Sequence, residues 1–428
     1  MRKAIILQLL TPMVLLGAAA PDLFGQDCPD AAKLTAGTKG IISAVRYLAD
    51  DALGGRLAGT REERCAADYI AQRFASLGLK PAGSNQTYFQ EFPVASVANP
   101  HAPGGTGRNV IAVLEGSDPQ LKNEFVIVGA HYDHLGMGQF GSTNVDKRPA
   151  IHNGADDNAS GVAVMLDVAR QLAKGPRPAR SVVFMGFSGE ESGLIGSAFF
   201  ANNPTIELGS ARAMLNLDMV GRLGDGKLIV YGIGTASEWE KLVTDATTKA
   251  DVGVTLQPDG YGASDHTSFY LKNVPVLHFF TNVHSDYHNP GDDWQKIDAP
   301  GMTKVANIVS SIAAQAANKE IVITLQKGAG RPPGQANSNG GYGAYLGTVP
   351  DFSPVKYGVK ISGVRENSPA AAAGLAGGDI IIKFDDKAIA DLQAMTDVLR
   401  AYKPGDKVKI TVLRAEKEVV LDAVFGKR

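Results

Sequence analysis

Three observations predict an α/β domain built on a mixed, largely parallel sheet flanked by helices, followed by a small β-rich domain. The apolar runs FVIV (125–128), VVFMGF (182–187), AMLNL (213–217) and VPVLHFF (274–280) read as strands buried on both faces. Segments with apolar residues at helical spacing lie before, between and after them, which suits helices packed on a sheet. A Pro/Gly/Asn stretch without packing residues, KGAGRPPGQANSNGGYG (327–343), then separates two differently patterned regions and reads as a flexible linker.

The elements follow in order. The chain opens with MRK, the apolar run IILQLLTPMVLLGAAA and a small-residue region, the pattern of a secretory signal peptide over 1–25. Pro21 disfavours a cut after Ala20, so a cut after Gly25 is an equal choice, and LFGQDC lacks the small residues expected before a lipidated cysteine. Nothing later is long or apolar enough to span a membrane, so the expected location is periplasmic or extracellular. The two cysteines, Cys28 and Cys65, then sit in an oxidising compartment, either as one disulfide or as two free thiols.

The first domain is expected over 30–320. Residues 38–80 read as two helices, the second being REERCAADYIAQRFASLGL with Ala66, Ile70, Phe74 and Leu77 at helical spacing, and the glycines of DALGGRLAGT and LGLKPAG read as turn formers. ASGVAVMLDVARQLA (159–173) and KVANIVSSIAAQAA (304–317) are further helices. The second domain, 344–426, reads as YLG (345–347), a strand VKISGV (359–364), a short helix SPAAAAGL, a strand–turn–strand GDIIIKFDDKAI, a helix DLQAMTDVLRAY (391–402) and a hairpin ending VVLDAVF. With 428 residues, 44% hydrophobic and 20% charged, the chain can bury two cores. A net charge of −2 and the lack of basic runs argue against nucleic acid or anionic membranes as partners.

The chemistry concentrates in five clusters: AHYDH (130–134), GADDN (154–158), SGEES (188–192), NLDMVG (216–221) and SDYHNP (285–290). Four of them follow the four strands, so they gather at one strand-end edge. Seven of the eight histidines (131, 134, 152, 266, 278, 284, 288) fall in this stretch, beside acids. Imidazole nitrogen and carboxylate oxygen are what zinc takes, and a catalytic site leaves one position open. Two zincs about 3.5–4 Å apart also need a shared carboxylate. In an adjacent pair such as Glu190-Glu191 the side chains diverge, so one can ligate while the other handles a proton. Asp133, two residues after His131, is placed to accept the ring N–H and fix the tautomer. The residues themselves leave open which of Asp156 and Asp157 bridges, and which glutamate is the base.

The motifs GAHYDHLG, NGADDNASGVA, FSGEESGLIGS, NLDMVG and HSDYHNPGDDWQKID, spanning about 116–318, resemble the co-catalytic di-zinc aminopeptidases. That family includes secreted leucyl-type aminopeptidases and glutamate carboxypeptidase-like enzymes with a zinc exopeptidase fold. The resemblance implies two Zn2+ per chain, one on His131, Asp157 and Asp218, the other on Asp157, Glu191 and His288. It makes Asp157 the bridge and Glu190 the base that deprotonates a water held between the metals, so that N-terminal residues are released from peptides. It gives Tyr287 as an oxyanion donor and places Asp265 and His266, in ASDHTSF (263–269), beside the site as supporting or substrate-contacting groups. The insert MGQFGSTNVDKRPAIH (137–152) departs from the pattern and is expected at the pocket rim.

The second domain resembles a PDZ domain of the permuted bacterial kind found on exported proteases. Tyr345, Leu346 and Gly347 would then form a carboxylate loop receiving a peptide C-terminus. Two other readings share these residues. Glutaminyl cyclases use much of the same frame and ligand set, and two-metal content with release of free amino acids would favour the peptidase. A peptide-binding protein built around the PDZ module fits poorly with an intact base and ligand set.

Overall fold

The four apolar runs become adjacent strands at the centre of one sheet. The computed structural model describes residues 28–94, 104–142, 148–224, 226, 228–282, 284, 286–329, 344–350, 355–364, 368–390 and 392–427. The expected signal peptide, residues 143–147 of the insert and residues 330–343 of the expected linker lie outside them. The first domain contains β1 (Lys80–Pro81), β2 (Phe89–Pro93), β3 (Thr106–Leu114), β4 (Phe125–His131), β5 (Ser181–Phe187), β6 (Ala211–Leu217), β7 (Leu228–Tyr231), β8 (Val254–Leu256) and β9 (Val276–Phe280). Their order is β1-β3-β5-β4-β6-β9-β7-β8, with β2 also on β3. The central β5-β4-β6-β9 pairings are parallel, whereas β3 on β5 and β7 on β9 are antiparallel.

Helices cover both faces, which is why the central strands are apolar without alternation. Helices α1 (Ala31–Leu34), α2 (Ile42–Leu48), α3 (Arg61–Ser76), α4 (Gly161–Lys174), α5 (Ile195–Asn202), α6 (Trp239–Lys249), α7 (His266–Tyr270) and α8 (Ala299–Ala316) follow in chain order. One face buries Val126, Val128, Val182, Phe184 and Leu215 against α2, α3, α4, α6 and α8. The other buries Ile127, Val183, Met185 and Met214 with Phe200 of α5 and Phe269 of α7. The chain therefore leaves β4 toward one face, through α4, and β5 toward the other, through α5. Such a divergence opens a crevice at the carboxyl ends of neighbouring parallel strands, and the five clusters lie there.

Thr60 caps α3 by accepting the Glu63 N–H at 3.2 Å. Cys65 of α3 is joined to Cys28 by a disulfide, which resolves the two cysteine alternatives and ties the N-terminal arm down. Among the described residues no helix is long and apolar enough to cross a membrane.

The β-rich domain contains β10 (Ala344–Tyr345), β11 (Thr348–Pro350), β12 (Val359–Val364), β13 (Ile380–Phe384), β14 (Lys387–Ala388), β15 (Lys407–Arg414), β16 (Lys417–Val424) and β17 (Gly426–Lys427), with α9 (Pro369–Ala372) and α10 (Leu392–Ala401). All its strand pairs are antiparallel, around Ile361, Ile381, Phe384, Ile410, Val412 and Phe425. Gly347 has φ +85°, and a Cβ there would come within 2.4 Å of the Ser368 side chain, so the 345–347 turn accepts only glycine at that position. The first residues of the expected linker, through Ala329, are described and hydrogen-bonded. Gln326 N–H donates to Thr235, Ala329 N–H to the Tyr270 hydroxyl, and the Ala329 carbonyl accepts from Gly260, so the chain is held to the first domain through Ala329.

Candidate metal centre

His131 ends β4, Glu190 and Glu191 follow β5, Asp218 follows β6, and His288 lies in the loop after β9. His131 Nε2 is 3.3 Å from Asp157 Oδ1 and 3.3 Å from Asp218 Oδ1. His288 Nε2 is 3.2 Å from Asp157 Oδ2 and 3.1 Å from Glu191 Oε2. A tetrahedral zinc with bonds of about 2.0 Å separates its ligand atoms by about 3.3 Å. The four distances therefore match the edges of two zinc polyhedra. Asp157 places Oδ1 beside His131 and Oδ2 beside His288. The donor set, two imidazoles and three carboxylates, suits zinc.

The local backbone chooses between the two aspartates. Asp156 turns away from the centre: its Oδ1 accepts the Gly221 N–H at 2.6 Å and its Oδ2 lies 3.0 Å from His284 Nε2. The amides of Asp156 and Asp157 both donate to Asp292 Oδ2, at 2.8 and 3.1 Å, and Asp292 Oδ1 accepts from Arg222 at 2.9 Å. Asp292 thus fixes the turn that aims Asp157.

Arg56 does the same from below. Its fully buried guanidinium donates to the carbonyls of Tyr132 (2.8 Å), Asn153 (2.7 Å), Gly154 (3.0 Å) and Leu48, joining the His131 loop to the Asp157 loop. Ser264 donates to Asp218 Oδ2 at 2.7 Å and accepts from Asn216. His134 Nδ1 lies 2.6 Å from Glu191 Oε1. A nitrogen of His134 also falls within 4.8 Å of oxygens of Asp157 and Glu191. None of Arg56, His134, Ser264 and Asp292 was among the expected site residues.

The expected partners divide. His131 Nδ1 is 3.3 Å from the main-chain oxygen of Asp133 and 3.7 Å from its carboxylate, so the nearer acceptor for the ring N–H is the carbonyl. The Asp133 carboxylate accepts the Glu190 N–H at 3.1 Å, which anchors the glutamate backbone beside His131. Burial, together with Asp218, Glu191 and Asp265, holds the Glu190 carboxyl well above the usual carboxylate range despite His131. Tyr287 stacks on His288 with ring centroids 3.9 Å apart, and burial next to Asp157, Glu191 and Glu190 pushes its hydroxyl up, keeping it a proton donor. Asp265 is buried, which pushes it up to about 7. His266 stacks on His278 at 4.5 Å. In the SDH turn it is Ser264 that hydrogen-bonds Asp218.

A buried glutamate supports the His131 strand end. Tyr132 donates to Glu63, and burial pushes Glu63 from its ordinary 4.5 up to about 7. The folded state therefore keeps a proton that the unfolded chain releases, so stability is full below about pH 4.5 and declines as pH rises to about 7. Between pH 4.5 and 8 the wild type should lose roughly 3 kcal/mol more than Glu63→Gln in chemical denaturation. Parallel pH profiles would contradict this assignment.

The model of peptidase family M28 matches residues 109–313, the stretch that holds all five clusters. Residues 109–313 are an M28 peptidase domain. A PDZ domain matches residues 345–423. Leupeptin-inactivating enzyme 1 of Streptomyces exfoliatus is 27% identical over 361 residues, covering 78% of this chain and 71% of that protein. Aminopeptidase YwaD of Bacillus subtilis is 28% identical over 50% of this chain and 46% of its own length, so the chain spans about half of that relative. Among solved structures, the aminopeptidase from Aneurinibacillus sp. strain AM-1 covers 68% of this chain and 96% of its own (TM-score 0.50, 22% identity). Porphyromonas gingivalis glutaminyl cyclase covers 64% and 96% (TM-score 0.53, 21% identity). These two share the fold of the M28 domain. Other relatives that match parts of this chain are named leucine aminopeptidase and zinc metalloprotease.

Proposed function

We propose that the M28 domain is a two-zinc aminopeptidase, with His131 and Asp218 on one ion, Glu191 and His288 on the other, and Asp157 shared. The observation that carries this reading is the division of the Asp157 carboxylate, 3.3 Å from His131 and 3.2 Å from His288. Two zinc ions there would supply Lewis-acid activation of the scissile carbonyl and of water. The protein's own part is proton handling and orientation. Glu190, held through its N–H by Asp133, accepts the proton of the attacking water and returns it to the leaving amine. Tyr287 donates a hydrogen bond from its hydroxyl to the developing oxyanion.

The disulfide supports an oxidising, exported location. The PDZ domain would recruit peptides by their C-termini at Tyr345, Leu346 and Gly347 while hydrolysis proceeds from the N-terminus.

A digest of matched peptides with free and acetylated N-termini, read by mass spectrometry, tests the reaction. Free peptides should be trimmed stepwise and acetylated ones left intact. Internal cleavage of blocked peptides contradicts an aminopeptidase. Pyroglutamyl products from glutaminyl peptides, without release of free amino acids, would favour the cyclase chemistry that shares this fold.

A further inference from the structure

Of the buried histidines near the proposed zinc centre that the ligand set leaves unused, His134 makes a short contact with a proposed ligand. His134 is fully buried, and its Nδ1 approaches Glu191 Oε1 to 2.6 Å while the other oxygen of Glu191 faces His288. Two roles fit a histidine in this place, a further ligand or a hydrogen-bond donor, and the distances separate them. Atoms bound to one tetrahedral zinc stand about 3.3 Å apart. A separation of 2.6 Å is too short for such an edge and suits a strong charge-assisted hydrogen bond. We propose that His134 is a positioning residue that donates Nδ1–H to Glu191 Oε1 and thereby sets the affinity of the Glu191–His288 site. This rests on the reading that these clusters bind metal.

The ring is built into place. The His134 N–H donates to the Arg56 carbonyl at 3.2 Å, and His134 forms a parallel bridge with Leu57. The ring fills space left by Gly154, where a Cβ would come within 2.5 Å of it. Its edge meets the His288 ring at 5.7 Å. Nε2 is buried and makes no hydrogen bond among the described residues, so Glu191 is the ring's polar partner and the proton belongs on Nδ1. With Oε1 held this way, Glu191 presents Oε2 to the ion in one orientation. Without the donor, the carboxylate is free to rotate, and the larger loss falls on the Glu191–His288 ion, because the side-chain hydrogen bond of His134 is to Glu191. Groups that orient metal ligands in this way typically change affinity roughly 10- to 100-fold.

The test is a zinc titration by calorimetry of the metal-depleted full-length protein, comparing wild type, His134→Ala and His134→Asn. Asparagine places Nδ2 as many bonds from Cα as Nδ1 of histidine, so it keeps a donor toward Glu191 without an imidazole. Wild type should bind two equivalents. In His134→Ala one binding step should weaken roughly 10- to 100-fold with the other weakened less, and His134→Asn should recover most of the loss. If the alanine variant does not fold, His134→Leu, which fills the space without a donor, takes its place. Unchanged binding, or equal weakening of both steps, overturns the proposal. Asparagine as poor as alanine overturns it in favour of direct ligation by the ring. A wild type that binds no zinc overturns the metal reading itself, and is thereby distinguished from failure of the His134 assignment.

Discussion

Glu190→Gln should keep its full complement of metal and lose on the order of a hundredfold or more in turnover. The substitution is nearly isosteric, and the contact that fixes residue 190, its N–H on Asp133, belongs to the backbone and survives. The metal-facing distances involve His131, Asp157, Glu191, Asp218 and His288 and leave Glu190 out. What the amide cannot do is accept the proton of the attacking water. Metal content by elemental analysis and turnover on a small aminoacyl substrate measure the two consequences separately. Loss of metal at position 190 would reverse the roles of the two glutamates.

Asp157→Asn should reduce occupancy of both sites together and bring activity to background. Its carboxylate supplies one oxygen to the His131 side and one to the His288 side, so an amide removes an anionic ligand from both ions. The amide also presents N–H donors to an imidazole nitrogen that must coordinate. His288→Ala, by comparison, touches one side, and it should deplete mainly one ion. Two zincs per chain in purified Asp157→Asn would contradict the bridge, and Asp156 would then need a reason to leave its bonds to Gly221 and His284.

Much of this site was legible because its chemistry sits at strand ends. The runs 125–128, 182–187, 213–217 and 274–280 are apolar along their whole length, which marks strands covered on both faces. The carboxyl ends of parallel strands lie along one edge of the sheet, so the clusters that follow them share that edge. The alternatives at Asp156/Asp157, left open by residue type, are separated by the Asp292 cradle, and no local pattern announces a carboxylate 135 residues away. Arg56 was equally hidden. A single arginine among glycines reads as a solvated turn residue, yet it joins carbonyls 76 and 98 residues downstream and carries a buried charge into the centre.

Ser264 and His134 lie within the motifs ASDHTSF and GAHYDHLG. In the SDH turn the acid and imidazole carry the recognisable chemistry, whereas the hydroxyl makes the contact with Asp218. For Asp133 the sequence correctly placed the residue beside His131, but the backbone path brings its carbonyl nearer to the ring than its carboxylate. Composition also carries no sign of the hydrogen bond from Ala329 N–H to the Tyr270 hydroxyl.

The central claim is that one carboxylate joins two metals. Anomalous diffraction at the zinc absorption edge from crystals of the zinc-loaded protein tests it most directly. The account predicts two peaks about 3.5–4 Å apart, one beside His131 and Asp218, the other beside Glu191 and His288, with an oxygen of Asp157 on each. A single peak, or two peaks that do not share Asp157, would contradict it.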